Sequence, residues 1–395
     1  MRVLHVITGL GVGGAEQQLR LLLRHLPVSC DVVTLTNPGP VAAGLRVDGV
    51  RVTHLGMTGN RDLTAVPRLA ALIRRERYDL VHTHLYRACV YGRIAARLSG
   101  AVRATVATEH SLGRAEIEGR PLTRATRALY LGTERLGAAT VAVSATVAGR
   151  LRDWGVPAAR IHLVPNGIDA EAFRFDPERR RAARALLGIP EDAFVVGGVG
   201  RQVPGKRFDA LVRAVAALPG VWLLLAGGGP ESGPLRALAA RLGVTDRVRL
   251  LGECDSGDGG SGGRPGVPAL LCAMDTFVSA SREESFGLAA VEALASGLPV
   301  LHSACPAIED LPPGQAPGAT RIGRVRTAGP ADLVAELTAA LQGRARVGGE
   351  GTDGVRRLPP PPAVAHYDIR HSSRRLMDVY THTLTTVPPT ERAHS

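Results

Sequence analysis

Lysine is almost missing from this chain: Lys206 is the only one among 48 basic residues, and arginine supplies the rest. Aromatic residues are also scarce, at 4%. Together with the lack of any recognisable binding module, that excludes a nucleic-acid-binding role despite the net charge of +12. No apolar run reaches the ~20 residues needed to cross a bilayer, and the N-terminus enters an apolar strand with no signal-peptide pattern. The five cysteines, Cys30, Cys89, Cys254, Cys272 and Cys305, are odd in number and follow no pairing motif. Reduced thiols in a cytoplasmic protein are the expectation. Arginine-rich solvated surface accounts for the positive charge, and Arg74, Arg75 and Arg77 form its densest N-terminal cluster, where contact with an anionic membrane face is an option.

Length is not lacking. At 395 residues and 45% hydrophobic content, the chain supports two packed cores of ordinary size. Short apolar segments at Val3 to Ile7, Val32 to Leu35, Leu80 to His82, Val106 to Thr108, Thr140 to Val143 and Ile161 to Val164 alternate with amphipathic stretches such as Ala15 to Leu26 and Ala88 to Leu98. The pattern recurs with strands near Phe194, Val221, Val248, Thr276 and Pro299. This predicts two α/β, Rossmann-like doubly wound domains facing a central cleft.

Lys206 falls in Val199-Gly200-Arg201-Gln202-Val203-Pro204-Gly205-Lys206, on the loop from a buried strand to a helix over Asp209 to Leu218. Ligands of open α/β sheets bind at that edge. A lone lysine in an arginine-rich chain points to a site served by a compact ammonium, such as a diphosphate. A second constellation is Glu284-Ser285-Phe286-Gly287-Leu288-Ala289-Ala290-Val291-Glu292. With Phe286 onward read as helical, Glu292 lies about two turns beyond Glu284 on a similar face, so both can address one ligand. Gly297 ends that helix and Pro299-Val300 opens the next strand.

The first loop, Gly9-Leu10-Gly11-Val12-Gly13-Gly14, follows a strand, opens a helix and matches the dinucleotide fingerprint. A dehydrogenase would carry an acid at the end of the second strand, but here that strand ends in Asn37-Pro38. The loop remains a place where backbone N–H groups and a helix N-terminus meet an anion.

These motifs, with Thr108 to Ser111, Val164 to Asp169 and Leu224 to Gly229, resemble the family-4 retaining glycosyltransferases of GT-B architecture. By that resemblance Arg201 and Lys206 hold the donor diphosphate, Glu292 the ribose and Glu284 the transferred sugar. Gly13, Gly14, Phe286, Gly287 and Leu288 complete the donor site, and His110 sits near the reaction centre. Gly14, His84, Tyr86 and His110 are the acceptor-side candidates. The implied reaction moves a hexose or N-acetylhexosamine, with UDP-GlcNAc-type donors favoured, to a hydroxyl of a glycan, lipid-linked sugar or aminoglycoside-like product. Polysaccharide and antibiotic biosynthesis are the settings this suggests. No metal or cofactor is implied. A nucleotide-sugar hydrolase or epimerase of the same fold, and a non-catalytic nucleotide-sugar-binding protein, are the alternatives.

His82 and His84 lie two apart at a strand end with Glu109 and His110 later, yet no compact spacing supplies further metal ligands. His84 and His110 are read as cleft-facing hydrogen-bonding groups, and His82 as a core histidine satisfied by its neighbours. Paired glutamates alone would suit a double-displacement glycosidase, which leaves the Arg/Lys loop without a purpose. The expected domains are 1–168, 169–371 and a returning helical segment 372–395, with flexible insertions at 254–268 and 343–362. The Tyr86 to Tyr91 and Ser111 to Pro121 segments are read as acceptor-side loops. The family's Gly-Gly-x-x-Glu stretch is replaced by Ala304-Cys305-Pro306-Ala307-Ile308-Glu309.

Overall fold

The computed structural model describes residues 1–114, 116–118, 120–255, 257, 264–323, 330–349 and 357–386. The chain divides into two compact units, Met1–Gly167 with the segment from Ile369, and Ile168–Asp368. The first unit opens with β1 (Arg2–Gly9), α1 (Gly14–His25), β2 (Ser29–Asn37), α2 (Gly39–Val47), β3 (Arg51–His54) and α3 (Ala65–Glu76). It continues with β4 (Leu80–His84), α4 (Tyr86–Ser99), β5 (Ala104–Glu109) and a small hairpin of β6 (Glu116–Ile117) and β7 (Arg120–Pro121). The unit's α5 (Arg124–Glu134), β8 (Ala139–Ala142), α6 (Ala145–Trp154) and β9 (Ile161–Leu163) follow. Seven parallel strands lie in the order β3-β2-β1-β4-β5-β8-β9. Apolar residues on both faces explain why the strands read as near-continuous hydrophobic runs, as a doubly covered parallel sheet requires. One face packs Val3, Ile7, Leu80 and Val106 against Leu19 and Leu22 of α1, and the other packs Leu4, Val6 and Val81 against Leu69 and Ile73 of α3.

The second unit holds α7 (Pro177–Leu187), β10 (Val195–Val199), α8 (Phe208–Ala216), β11 (Trp222–Ala226), α9 (Ser232–Arg241) and β12 (Val248–Leu250). Then come α10 (Val267–Ala273), β13 (Thr276–Ser279), α11 (Leu288–Ala295), β14 (Val300–His302), α12 (Pro306–Glu309), β15 (Ala319–Arg321), α13 (Pro330–Gly349) and α14 (Pro362–His366). Its sheet runs β12-β11-β10-β13-β14-β15, again parallel. Strand order reverses between β10 and β13, and crevices at such switch points are where open α/β sheets bind ligands. The chain then returns to the first unit as α15 (Ile369–Thr386), where the Ser373 hydroxyl donates to the His25 carbonyl at 2.8 Å.

Several sequence expectations need correction. The 254–268 insertion is closed at its base, because the Val267 N–H donates to the Asp255 carbonyl at 2.8 Å. Val267 and Pro268 are buried and open α10, where proline suits the first helical turn. Residues 256 and 258–263 of that segment lie outside the described ones. The 343–362 linker is helical to Gly349, and 350–356 lie outside the described residues. Arg357 then donates to the Cys272 and Met274 carbonyls at 2.7 and 2.8 Å, so the linker's end is anchored. The returning helix starts at Ile369, three residues before the expected point. Tyr86 opens α4 and does not sit on a loop.

Arginine is also not confined to the surface. Arg93 and Arg184 are each 1% exposed. Arg180 and Arg184 each reach a different oxygen of Asp275 at 2.7 Å, and Arg184 also donates to the Ala273, Pro190, Glu191 and Ala193 carbonyls. A guanidinium with five donors can enter the interior because carbonyls and a carboxylate take its N–H groups.

Candidate functional site

In the second unit, β10 delivers the Arg201–Lys206 loop and β13 delivers the Ser281–Gly287 loop, one on each side of the switch point. Residues Pro204–Lys206 form a 3-10 turn. The Gln202 N–H donates to the Gly228 carbonyl at 2.7 Å, and the Gly200 N–H donates to Ala226 at 2.9 Å. This fastens the loop to the end of β11. A Cβ on Gly227 would meet the Gly200 carbonyl oxygen at 2.0 Å, so glycine is required for that approach. The two loops are also joined directly, the Arg282 N–H donating to the Gly205 carbonyl at 2.9 Å.

Across that joint Lys206 Nζ donates to Glu284 Oε1, which also accepts from the Ser281 hydroxyl at 2.7 Å. The residue assigned to the diphosphate and the residue assigned to the sugar therefore meet, 78 residues apart in sequence. Arg201 is exposed, and its guanidinium has no ion pair or hydrogen bond among the described residues. Glu292, on the second turn of α11, likewise has no side-chain partner among the described residues. Burial alone pushes its carboxyl up to about 7. An acid left unpaired in such surroundings is costly unless a ligand supplies donors.

The helix carrying Glu292 begins at Leu288, two residues later than the sequence pattern suggests. The reason is Gly287, whose φ of 101° is left-handed and incompatible with continuing the helix backward. A Cβ there would lie 2.5 Å from Cys305 Sγ. Gly287→Ala is expected to destabilise this unit by about 2 kcal/mol or more, read as a lower denaturation midpoint with an unchanged slope. No side chain caps α11, which leaves its first N–H groups for an anion. Phe286, expected at the donor, is 4% exposed, with its ring edge-on to Tyr367 at 4.9 Å between centroids. Its backbone carbonyl accepts from the Ala307 N–H at 2.8 Å. In place of the missing Gly-Gly-x-x-Glu stretch, Glu309 accepts from the Cys305 N–H at 3.1 Å and pairs with Arg321.

In the first unit, β1 ends at Gly9, and Gly13 stands before α1 with no side-chain cap. Gly14 is exposed. His84 is 1% exposed, not a rim group, and is held by His5 Nδ1 at 2.9 Å and His110 Nε2 at 3.1 Å. His82 is satisfied by the Tyr380 hydroxyl at 2.6 Å and the Thr108 hydroxyl at 2.7 Å, as a core histidine should be. The Tyr86 hydroxyl is spent on the Thr126 carbonyl at 3.1 Å, and burial pushes it up to about 12. His84, Thr108 and His110 line a cavity with Gln18 and Asn166, with room of about 20 Å³ for water centres.

Sequence reasoning missed His5. Its signal was present: β1 and β4 are parallel neighbours with His5 opposite His82, and alternate residues share a face. The ligating atoms of His5, His82 and His84 lie within 4.8 Å of one another. Both nitrogens of His82 and both of His84 already have partners, and no carboxylate belongs to the group. A divalent ion fits that arrangement poorly.

Comparison with known proteins now bears on this geometry. Residues 12–172 match the Glycosyltransferase Family 4 model and residues 179–311 match the Glycosyl transferases group 1 model. In sequence the chain resembles the family-4 glycosyltransferases, and its fold is of the GT-B kind. A D-inositol 3-phosphate glycosyltransferase of Mycobacterium tuberculosis is 43% identical over 155 residues, which is 38% of this chain and 30% of that relative. The chain's match thus spans under a third of that curated protein. The structure of Anabaena Alr3699/HepE in complex with UDP and glucose superposes with a TM-score of 0.77 at 21% identity, covering 97% of this chain and all of that one. Sucrose-phosphate synthase from Thermosynechococcus elongatus gives 0.72 at 21% identity, covering 98% and 100%. Both likenesses concern the fold. Among the described residues, no helix is long and apolar enough to cross a membrane.

Proposed function

We propose that this GT-B protein is a retaining glycosyltransferase that moves a hexose or N-acetylhexosamine from a UDP-sugar to a hydroxyl of a polyhydroxylated acceptor, without a metal ion. The observation that carries this reading is the Lys206–Glu284 pair at the switch point, beside the unpaired Arg201 on the same loop. Cleaving a sugar–diphosphate bond builds negative charge on the leaving phosphate while the sugar becomes cationic. Fixed positive groups at the diphosphate therefore stabilise the transition state more than the bound donor. Lys206 and Arg201 take that role, Glu284 turns to the sugar hydroxyls, and the unpaired Glu292 carboxylate receives the ribose hydroxyls. Complexes of Alr3699/HepE with UDP and with UDP-glucose support UDP as the carrier. The mycobacterial relative's name supports a cyclitol-like acceptor, as do glycan, lipid-linked and aminoglycoside-like hydroxyls on chemical grounds.

Calorimetric titration with UDP, GDP and dTDP tests the donor side. UDP is expected to bind most tightly, with an affinity changed less than twofold by EDTA. Loss of UDP binding in EDTA contradicts the metal-free reading, and equal affinity for all three contradicts the choice of UDP.

A further inference from the structure

His5, His82, His84, Thr108 and His110 occupy one face at the centre of the first sheet. The register places His5 beside His82 and His84 beside Thr108, and the period-2 alternation of β5 brings His110 to the same side. Glu109, one residue earlier, belongs to the opposite side with Arg93, whose Nη2 lies 3.3 Å from the Tyr130 hydroxyl. Of the four histidines, Tyr380 of α15 hydrogen-bonds His82. What remains is an unbranched chain of three imidazoles, His5 Nδ1 to His84 Nε2 at 2.9 Å and His84 Nδ1 to His110 Nε2 at 3.1 Å.

Each of these contacts needs one N–H and one lone pair. Burial holds His5 and His110 down to about 3 and 4, and His84 well below its ordinary value, so all three rings are neutral at pH 7. Three neutral rings carry three N–H groups, and the two contacts use two of them. The third must lie at one end of the chain, on His5 Nε2 or on His110 Nδ1. Both of those atoms are buried and, among the described residues, without a hydrogen-bond partner. His5 is fully buried, whereas His110 lines the cavity with Gln18 and Asn166. A donor sealed in an apolar interior costs more than an idle lone pair there, and a donor at the cavity can be met by water or ligand.

We propose that His5 and His84 are positioning residues that lock His110 in its Nδ1–H tautomer, so that His110 presents a neutral N–H donor to an oxygen of the ligand in this cavity. His5 Nδ1–H donates to His84 Nε2, and His84 Nδ1–H donates to His110 Nε2. His110 Nδ1–H is left to donate to a sugar hydroxyl, an acceptor hydroxyl or the water that holds their place. Its use in catalysis rests on the transferase reading, whereas the tautomer does not.

Long-range 1H–15N NMR of histidine-labelled full-length protein tests this without reference to activity. In the wild type, His110 is expected to show a protonated Nδ1 and a bare Nε2 from pH 6 to pH 8. His5→Asn, whose amide nitrogen replaces Nδ1 as donor, should keep that signature, and His5→Leu should mix the two tautomers. In transfer assays His5→Leu should lower kcat about tenfold with the donor KM within twofold, and His5→Asn should restore most of it. A wild-type His110 that is protonated on Nε2, or charged, overturns the proposal even if His5→Leu fails to fold. So does an unchanged His110 spectrum in folded His5→Leu, or stoichiometric zinc held by His5, His82 and His84. A locked tautomer in a protein that transfers no sugar would leave this proposal standing and remove the transferase reading.

Discussion

Lys206→Ala is expected to cut turnover by up to roughly a thousandfold while changing donor affinity much less. The magnitude follows from a unit charge ~4 Å from the leaving phosphate in an effective dielectric of ~20, worth up to ~4 kcal/mol before desolvation is counted. The asymmetry follows from where charge develops. The donor already carries its diphosphate charge, but the β-phosphate oxygen that leaves gains more as the bond breaks. Removing Lys206 also takes from Glu284 the ammonium that donates to its Oε1. The repulsion from Glu284 then grows as negative charge builds on the leaving phosphate, which adds to the loss of turnover. Steady-state kinetics with calorimetric donor affinities separates the two quantities. Equal losses in kcat and in donor affinity would mean that Lys206 serves binding uniformly and that its assigned role is wrong.

The second large effect concerns Glu292 and pH. Its folded value of about 7 lies above the ordinary carboxylate value of 4.5, and Glu109 is raised to about 7 by the same cause. The folded chain therefore keeps protons that the unfolded chain releases between pH 4.5 and 7. Stability is expected to fall across that window as pH rises, by up to about 3 kcal/mol for each group, and to level off above it. Glu292→Gln removes one of the two contributions, so its denaturation midpoint should vary less with pH. Donor binding should run the other way, because ribose hydroxyls donate best to the ionised carboxylate. UDP-glucose affinity is expected to rise about tenfold from pH 6 to pH 8 in the wild type. In Glu292→Gln it should be flat, and roughly ten- to hundredfold weaker at pH 8. A wild-type affinity that does not move with pH would mean that Glu292 does not meet the ribose.

Much of the second unit was legible in the sequence, because its signals are local. Val195–Val199 is a short apolar run bounded by Gly200, and the lysine beyond it stands out by composition alone. Glu284 and Glu292 share a segment with a glycine that needs a left-handed backbone and a Gly297 that stops the helix. The Lys206–Glu284 contact was only implied, since it depends on two loops brought together by a sheet crossover. The packing of the Phe286 ring on Tyr367 could not be read from the sequence, because the two residues are 81 positions apart. Segments 254–268 and 343–362 were read from glycine and proline content, which cannot reveal a buried Val267 or a helix that runs on to Gly349. The histidine chain was the largest omission. His5 and His84 are 79 positions apart, and only the parallel pairing of β1 with β4 makes them neighbours. Buried arginines such as Arg184 were hidden for the same reason, their carbonyl partners coming from α10 and the loop before β10.

The central claim is transfer of a sugar from UDP to a hydroxyl, and the most direct measurement is mass spectrometry of both products. Purified full-length protein would be offered UDP-, GDP- and dTDP-sugars with pooled cyclitol, cyclitol phosphate, aminocyclitol and lipid-linked acceptors, in the presence of EDTA. The account predicts UDP released in a one-to-one ratio with an acceptor heavier by one hexose or N-acetylhexosamine residue, and neither product from Lys206→Ala at comparable enzyme and time. UDP released at full rate without acceptor would contradict transfer in favour of hydrolysis. Donors that bind but are never consumed, with every acceptor class present and the protein folded, would contradict catalysis itself.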